Sequence, residues 1–224
     1  MKYKGILLDI DNTLYAYDES HKVALEAVVD FIKKNFSFSG DEIIIAYSQA
    51  RKMVQIELGL IAASHNRVLY FQKMLEILDI NALKYSLTVY NLYWDTFLIS
   101  MKPFNNVYKL LEKYKDKICL VTDLTAQIQH RKIKKLELDK YISLMVTSEE
   151  AGREKPHPYI FMAALKKMNL NVDEVCMIGD SFNKDIVGAS NLGIDSIWIN
   201  LKREHKEFEA SLVTEVYSFE EIKI

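Results

Sequence analysis

The chain has 224 residues, of which 29 are lysine or arginine and 31 are aspartate or glutamate, so its formal net charge is −2. Half of the residues are hydrophobic and 27% are charged, which is typical of a globular protein with a sizeable core. This composition excludes a disordered tail protein, and the lack of a positive excess argues against a dedicated nucleic-acid binder. The length predicts one large domain, or one domain that carries an insertion.

The cysteines and the N-terminal residues favour a cytoplasmic protein. Cys119 and Cys176 each lie inside an apolar run, so we expect reduced core residues rather than a disulfide pair or metal ligands. No stretch approaches the ~18 apolar residues of a membrane span. The first apolar run, at residues 6–8, is too short for a signal peptide, and an aspartate follows it at once. We therefore expect neither secretion nor a membrane partner.

A short apolar run at residues 5–8 opens the chain, and a long helical segment follows it. From residue 18 to about residue 98, apolar residues recur with the spacing of amphipathic helices, which predicts four helices. Gly59 is expected to end the second helix, and Ser64 is a candidate N-cap of the third. The four stripes contain Leu25, Val28, Val29, Ile32 and Phe36; Ile43, Tyr47, Ala50, Val54 and Leu58; Val68, Phe71, Leu75 and Leu78; and Leu83, Leu87, Tyr90, Trp94 and Phe97.

Beyond residue 100 the pattern changes to short apolar runs, most of which precede a helical stretch. These runs lie at 118–121, 144–146, 175–178 and 194–199. Continuous apolar runs of this length suit strands that are buried on both faces of a parallel sheet. The alternation of strands and helices predicts an α/β fold, in which ligands collect at the carboxyl ends of the strands.

Polar residues that suit phosphate chemistry follow four of the predicted strands. Crowded carboxylates repel one another, and Mg²⁺ would relieve this because it takes carboxylate and phosphate oxygens as ligands. A lysine and a threonine would add a positive charge and a phosphate donor, which are the parts that phosphoryl transfer requires. Each short motif alone is common in turns and helix caps, but the ordered combination favours a shared site. In chain order the residues are Asp9 and Asp11, Thr122 and Asp123, Lys155, and Asp180 with Asp185.

These residues form four motifs in order: Asp9-x-Asp11-x-Thr13, then Thr122, then Lys155, then residues 179–185, which read Gly-Asp-Ser-x-x-x-Asp. In this respect the chain resembles the haloacid dehalogenase-like (HAD) hydrolase superfamily. The resemblance covers residues 1–15 and about 101–200. It implies a Rossmann-like core of 1–16 and 100–224 with helices on both faces of a parallel sheet, and an inserted α-helical cap at 17–99.

The resemblance also implies a division of catalytic roles. Asp9 would be the nucleophile that forms an aspartyl-phosphate, and Asp11 would protonate the leaving oxygen and then activate water. Thr122 and Lys155 would bind the transferring phosphoryl group, with Asp123 beside them. Lys155 would also keep Asp9 ionised.

The same resemblance implies a Mg²⁺ site. Asp9, the backbone carbonyl of Asp11, and Asp180 would hold the ion, and Asp185 would be either a direct ligand or a residue that supports the ligands. Asp11 also separates the chain from the true dehalogenases, which need no metal and lack an acid at this position. Asp123 stands where many members have asparagine, and this departure leaves its role open.

Substrate contacts in the cap are expected from the polar residues at 64–67, above all Arg67, because they precede or begin a predicted helix. The motif at residues 11–15, Asp-Asn-Thr-Leu-Tyr, is similar to nucleotidase-like and acylneuraminate-9-phosphatase-like members. By contrast, the basic residues of 131–135, Lys132 among them, are interpreted as a solvated helix face.

The sequence therefore predicts a cytoplasmic Mg²⁺-dependent phosphatase of a small phosphorylated metabolite, such as a sugar phosphate, a nucleotide or an acylneuraminate phosphate. We expect a monomer or homodimer without nucleic-acid or membrane partners. A phosphomutase is the main alternative, because the same phosphoryl-enzyme could return its phosphoryl group to the substrate. A phosphoacceptor switch domain and a carbon–halogen hydrolase are the remaining alternatives, and Asp11 argues against both.

Overall fold

The structure is a computed structural model that describes residues 2–207 and 211–224. Tyr17–Met101 forms one compact unit, here called the helical unit, and the described residues before and after it form the other, here called the sheet unit. We describe each unit by itself. Within the described residues, none of the helices combines the length and the apolar composition that a membrane crossing requires.

The sheet unit is built on a parallel six-stranded sheet, which confirms the predicted α/β class. The strand order is β3-β2-β1-β4-β5-β6, and the first five strands match the predicted apolar runs. β6 was not predicted, because two of its four residues, a threonine and a glutamate, are polar and lie between two buried valines. The strands are β1 (Gly5–Leu8), β2 (Ile118–Thr122), β3 (Leu144–Thr147), β4 (Val175–Gly179), β5 (Asp195–Ile199) and β6 (Val213–Val216).

The centre of the sheet is covered on both faces. Every residue of β1, β2 and β4 is buried, and Leu7 of β1 pairs with Cys119 on one side and with Met177 on the other. Cys119 and Cys176 are free, buried thiols, which confirms that they are core residues. The helices that follow the strands are α5 (Val107–Lys113), α6 (Ala126–Lys135), α7 (Ser148–Ala151), α8 (Pro158–Met168) and α9 (Val187–Ser190), with a π-helical turn at Phe182–Ile186.

The strand order reverses at β1, and this reversal fixes where a site can form. The chain passes from β1 outward to β2 and β3, and it then returns to the other side of β1 for β4. In open parallel sheets, ligands bind beyond the carboxyl ends of the strands at such a reversal. The loops after β1, β2 and β4 are therefore the ones that build the site.

The helical unit contains the four predicted helices: α1 (Tyr17–Asn35), α2 (Gly40–Leu58), α3 (Arg67–Ile77) and α4 (Ala82–Ser100). α2 begins with a capping box, in which the side chains of Ser39 and Glu42 each accept a backbone N–H of the other residue. It ends at Gly59, as predicted, where the backbone turns to a φ of +67°. α3, however, is capped by Asn66, whose side chain accepts the Val68 N–H at 2.9 Å.

Two predictions about the helical unit were wrong. Ser64 is not the N-cap of α3, because it lies within a 3-10 turn at Ala62–His65 that precedes the cap. The buried face of α4 also differs from the predicted stripe, since Leu83 and Leu87 are 97% and 64% exposed. The reason is aromatic packing: Tyr93 lies within 5.1–5.9 Å, between ring centroids, of three neighbouring aromatic rings. This packing turns Tyr93 and its helical neighbours inward, and the two leucines outward.

Candidate active site

Asp9 follows β1 directly, and its carboxylate is buried at the strand ends. Lys155 donates its ammonium to Asp9 Oδ1 at 2.6 Å and to the carbonyl of Val121 at 3.0 Å, and Thr13 donates its hydroxyl to Asp9 Oδ2 at 2.8 Å. Burial raises the pKa of Asp9 to about 7, against the opposing effect of Lys155. Both oxygens of Asp9 are thus held by donors, which fixes the orientation of the carboxyl group.

Two further aspartates crowd the same position. Asp9, Asp180 and Asp185 each offer a carboxylate oxygen, and these oxygens lie within 4.8 Å of one another. Burial, with Asp9 and Asp185 nearby, raises the pKa of Asp180 to about 8. Burial also raises the pKa of Asp185, although Lys155 lies only 2.7 Å from its Oδ1. One ammonium group therefore faces three carboxylates, and the cluster favours either protons or a cation.

The local sequence after β4 determines how these acids meet. Gly179 leaves room for Asp185, because a Cβ atom at residue 179 would lie 2.3 Å from Asp185 Oδ2. The π-helical turn presents Asp185 to its own loop, where its carboxylate accepts the Ser181 N–H at 3.0 Å. Thr13 accepts the N–H of Asp180 at 3.0 Å while it donates to Asp9, so it joins the loops that follow β1 and β4. A threonine at this position thus supports both loops.

Asp11 is held by a separate set of donors. Lys132 lies 2.7 Å from both carboxylate oxygens of Asp11, the Tyr15 hydroxyl donates at 2.5 Å, and Gln129 donates at 3.2 Å. Burial opposes ionisation here, but the Lys132 ammonium and these hydrogen bonds hold the pKa of Asp11 below its ordinary value. Asp11 is therefore an oriented carboxylate in this structure.

The interpretation of Lys132 as a solvated residue was wrong, since its side chain is fully buried. The reason lies in the helical spacing of α6. Ile128, Lys132 and Leu136 follow one another at intervals of four residues and are all buried, so they share the inward face. The long apolar stem of the lysine packs with this face while its ammonium reaches Asp11. The four-residue spacing of Lys132 from Ile128 and from Leu136 was the sequence signal that could have identified it as a buried residue.

Thr122 ends β2 and is fully buried, and Gln129 links it to Asp11. The amide of Gln129 donates to Thr122 Oγ1 at 2.8 Å, to the Asp123 carbonyl at 2.8 Å and to Asp11 at 3.2 Å. Sequence reasoning did not identify Gln129, because a single glutamine carries no recognisable signal. Through it, the candidate phosphate-binding hydroxyl and the candidate acid–base residue share one hydrogen-bonding network.

Asp123 directs its carboxylate to neighbouring loops. Its Oδ1 accepts the backbone N–H of Lys155 at 3.0 Å, and its Oδ2 pairs with Lys184 at 2.7 Å. Lys184, which sequence reasoning also missed, lies 3.3 Å from Glu154 as well. Both Asp123 oxygens are thus engaged in positioning the segment that carries Lys155.

The sheet unit consequently brings seven of the eight predicted site residues to one edge of the sheet. The eighth, Arg67, is the first residue of α3 in the helical unit. It is buried, and its guanidinium donates to the carbonyl of His65 at 3.0 Å and to the hydroxyl of Tyr17. The seven residues in the sheet unit are Asp9, Asp11, Thr122, Asp123, Lys155, Asp180 and Asp185.

Comparison with known proteins finds a matching family model and similar sequences. The model of a family described as haloacid dehalogenase-like hydrolase matches residues 3–193. A ribulose-1,5-bisphosphate 5-phosphatase from Halopiger xanaduensis is 30% identical over 212 residues, covering 92% of this chain and 89% of the relative. A glyceraldehyde 3-phosphate phosphatase from Pyrococcus furiosus is 28% identical over 226 residues, covering 96% of this chain and 90% of the relative.

Among solved structures, a 2-haloacid dehalogenase from Pseudomonas syringae has a similar fold. The TM-score is 0.75 at 19% identity, and the match covers 96% of this chain and 94% of that one. At this level of identity the likeness concerns the fold alone. It agrees with the Rossmann-like parallel core that the sequence predicted.

Proposed function

The chain belongs to the haloacid dehalogenase-like hydrolase family, and on that premise we propose that it is a phosphatase that hydrolyses a small phosphate monoester through Asp9. One observation carries this proposal: Asp9 is buried, held on one oxygen by Lys155 and on the other by Thr13, and adjoins two further carboxylates. The two relatives named as phosphatases support the reaction class, since each is matched over nearly its whole length.

In the first proposed step, a carboxylate oxygen of Asp9 attacks the phosphorus atom. The bond between phosphorus and the ester oxygen breaks, and the leaving oxygen takes a proton from Asp11. In the second step, Asp11 takes a proton from water as the water oxygen attacks phosphorus, and the bond to Asp9 breaks to release phosphate. The contact with Lys132 favours an ionised Asp11, which suits the second step, and the first step requires that this contact loosen so that Asp11 can carry a proton.

Lys155 and Thr122 are the proposed donors to the phosphoryl oxygens. Lys155 is nearly fully buried, so its charge is weakly screened and stabilises both the Asp9 anion and the negative charge that accumulates during transfer. Thr122 reaches the same edge from β2. Asp123, a predicted substrate-binding residue, acts in this proposal through the backbone of Lys155 rather than by direct contact, because both of its oxygens are already engaged.

The donor set fits a resident Mg²⁺ ion. The three carboxylates of Asp9, Asp180 and Asp185 are crowded, buried and short of positive charge, and hard oxygen donors are the ligands that Mg²⁺ prefers. We propose that Asp9, Asp180 and the backbone carbonyl of Asp11 hold the ion, and that Asp185 supports them because Lys155 and Ser181 already bind its oxygens. When bound, the ion would neutralise the phosphate and the acids that surround it.

We propose a phosphorylated small metabolite as the substrate. The names of the two relatives support sugar phosphates and triose phosphates as the first candidates to test, ahead of the nucleotides and acylneuraminate phosphates that the short motif around Asp11 favoured. A phosphomutase would use the same phosphoryl-enzyme, and it would convert a sugar 1-phosphate without releasing phosphate. A dehalogenase would release halide without metal, and a switch domain would keep its phosphoaspartate.

The test is phosphate release from p-nitrophenyl phosphate and from a panel of phosphorylated metabolites, with Mg²⁺ and with a chelator. Asp9→Asn should abolish turnover, because its amide is a very poor nucleophile. Asp11→Asn should retain metal and phosphate binding and lose most turnover. Asp139→Asn is the matched control, since this exposed aspartate of the sheet unit lies in a surface ion pair. Undiminished turnover by Asp9→Asn would refute the proposal.

A further inference from the structure

Gln129 is a fully buried residue of α6 in the sheet unit, and the reaction proposed above gives it no part. Its Nε2 lies 2.8 Å from Thr122 Oγ1, 2.8 Å from the carbonyl oxygen of Asp123 and 3.2 Å from Asp11 Oδ2. Its Oε1, by contrast, has no hydrogen-bond partner among the described residues. A buried oxygen without a partner is costly, so the contacts of Nε2 must hold the amide in this orientation.

Two of the three neighbours of Nε2 explain this orientation. The backbone carbonyl of Asp123 can only accept a hydrogen bond, and so can the carboxylate of Asp11 while it is ionised. Turning the amide over would bring Oε1 of Gln129 against both of these oxygens. The amide nitrogen therefore faces this side, where Thr122 Oγ1 also accepts one of its N–H groups.

This contact decides where the proton of the Thr122 hydroxyl can go. A hydroxyl group has one proton and two lone pairs, and Gln129 donates to one of the lone pairs. Within residues 2–207 and 211–224, the acceptor for the proton is the carbonyl oxygen of Asp123 at 3.4 Å, beyond the about 2.5–3.0 Å of an ordinary O–H···O hydrogen bond. The same carbonyl already accepts Gln129 at 2.8 Å. The hydroxyl proton is therefore weakly held and can be donated to another oxygen.

We propose that Gln129 is a positioning residue that makes Thr122 a hydrogen-bond donor to the phosphoryl group. Gln129 donates to Thr122 Oγ1 from inside the protein, and the hydroxyl then directs its own proton to a phosphoryl oxygen. Gln129 itself does not contact the substrate. This role rests on the phosphatase proposed above, because it explains how Thr122 comes to bind the phosphoryl group, and it adds a residue that the four sequence motifs do not contain.

Binding of inorganic phosphate in the presence of Mg²⁺ measures this role without turnover. Gln129→Met removes both N–H groups and keeps an unbranched side chain, so the Thr122 hydroxyl can turn its proton inward to the carbonyl of Asp123. Titration calorimetry should then give a Kd for phosphate that is about 3- to 10-fold higher, as expected for the loss of one net hydrogen bond. The Kd for Mg²⁺ should change by less than about 2-fold, because the amide donates to neither Asp9 nor Asp180.

A double-mutant cycle with Thr122 separates this role from a general effect on packing. Thr122→Val removes the hydroxyl and keeps the branched side chain, so in that background Gln129→Met should raise the Kd for phosphate by less than about 2-fold. Gln127→Met replaces an exposed glutamine of the same helix, is the matched control and should bind phosphate like the wild type. If circular dichroism shows that Gln129→Met does not fold, Gln129→Leu takes its place in the cycle.

Three outcomes would overturn the positioning role. One is an equal rise in the Kd for phosphate with and without the Thr122 hydroxyl, and another is a parallel rise in the Kd for Mg²⁺, since both would indicate a general effect on packing. The third is a folded Gln129→Met protein that binds phosphate as tightly as the wild type. None of these results contradicts the proposed phosphatase, which fails instead if the wild type binds phosphate but hydrolyses no ester.

Discussion

Replacing Lys132 by methionine tests whether the buried pair with Asp11 organises the site. Methionine keeps much of the length and apolar character of the lysine stem, so the inward face of α6 stays filled while the ammonium is lost. Asp11 then keeps two neutral donors, Tyr15 and Gln129, and loses contacts to both of its oxygens. The perturbation is thus confined to one charge.

The expected cost follows from the burial of the two partners. Removing one member of a fully buried ion pair costs ~3–5 kcal/mol, because the remaining charge is left unpaired. Asp11 is 22% exposed and retains two hydrogen bonds, so we expect a smaller loss of about 2–3 kcal/mol in the free energy of unfolding near pH 7. For a chain of this size that corresponds to about 4–12 °C in Tm.

The stability difference between the wild type and Lys132→Met should depend on pH with a defined sign. In the wild type the pKa of Asp11 is lowered. The ion pair with Lys132 therefore stabilises the fold at pH values above the unfolded-state pKa of Asp11, and this stabilisation is lost as the pH falls through the lower, folded-state pKa. In Lys132→Met, burial dominates and raises the pKa of Asp11, so this carboxyl takes up a proton on mild acidification. The loss in unfolding free energy that the substitution causes then becomes smaller. The difference in stability between wild type and variant should therefore narrow from about pH 7 towards pH 4.

Urea denaturation in the presence of a chelator measures this difference, and a double-mutant cycle identifies its cause. In an Asp11→Asn background, Lys132→Met should cost nothing or stabilise the protein, because it removes a buried unpaired ammonium. The effect of Lys132→Met on kcat should also disappear in that background. Lys134→Met is the control, since Lys134 is 76% exposed on the same helix and should change stability by less than ~0.5 kcal/mol. An equal cost of Lys132→Met in both backgrounds would refute the assignment.

Three further predictions concern the acidic cluster and its support. Because the raised pKa values of Asp9 and Asp180 make the folded, metal-free protein hold protons that the unfolded chain releases, its stability should fall as pH rises from about 5 to 8. Mg²⁺ replaces those protons, so scanning calorimetry should show a larger Mg²⁺-induced rise in Tm near pH ~8 than near pH ~5.5; an equal rise would contradict this. Gly179→Ala should displace Asp185, cost about 1–3 kcal/mol in unfolding free energy and weaken Mg²⁺ binding, as titration calorimetry would detect. Asp123→Asn should leave Mg²⁺ binding unchanged and lower kcat by misplacing Lys155, whereas a change confined to KM would indicate direct substrate contact.

The sequence predicted most of the sheet unit, because buried parallel strands are continuous apolar runs and their order fixes which loops meet. It also identified the seven polar residues that follow those strands. The prediction that Lys132 is solvated was wrong because the basic run was interpreted by its composition alone. The spacing of Ile128 and Leu136 places this lysine on the buried face of the helix. The prediction of the buried face of α4 was wrong for a related reason, because the tertiary packing of Tyr93, and not the spacing of the leucines, decides which side of the helix is buried.

The distribution of lysines shows why the acidic cluster behaves differently from the other acids around it. Lys132 compensates Asp11, and Lys184 pairs with Asp123, so these acids are satisfied by the protein itself. Among the described residues, the cluster of Asp9, Asp180 and Asp185 forms ion pairs with Lys155 alone, which leaves two negative charges when all three acids are ionised. One divalent cation balances this excess, whereas in its absence the same excess and burial raise the pKa values of all three acids. The proposed Mg²⁺ would therefore compete with protons for the same oxygens, and its binding would favour the ionised form of Asp9 that the proposed attack requires.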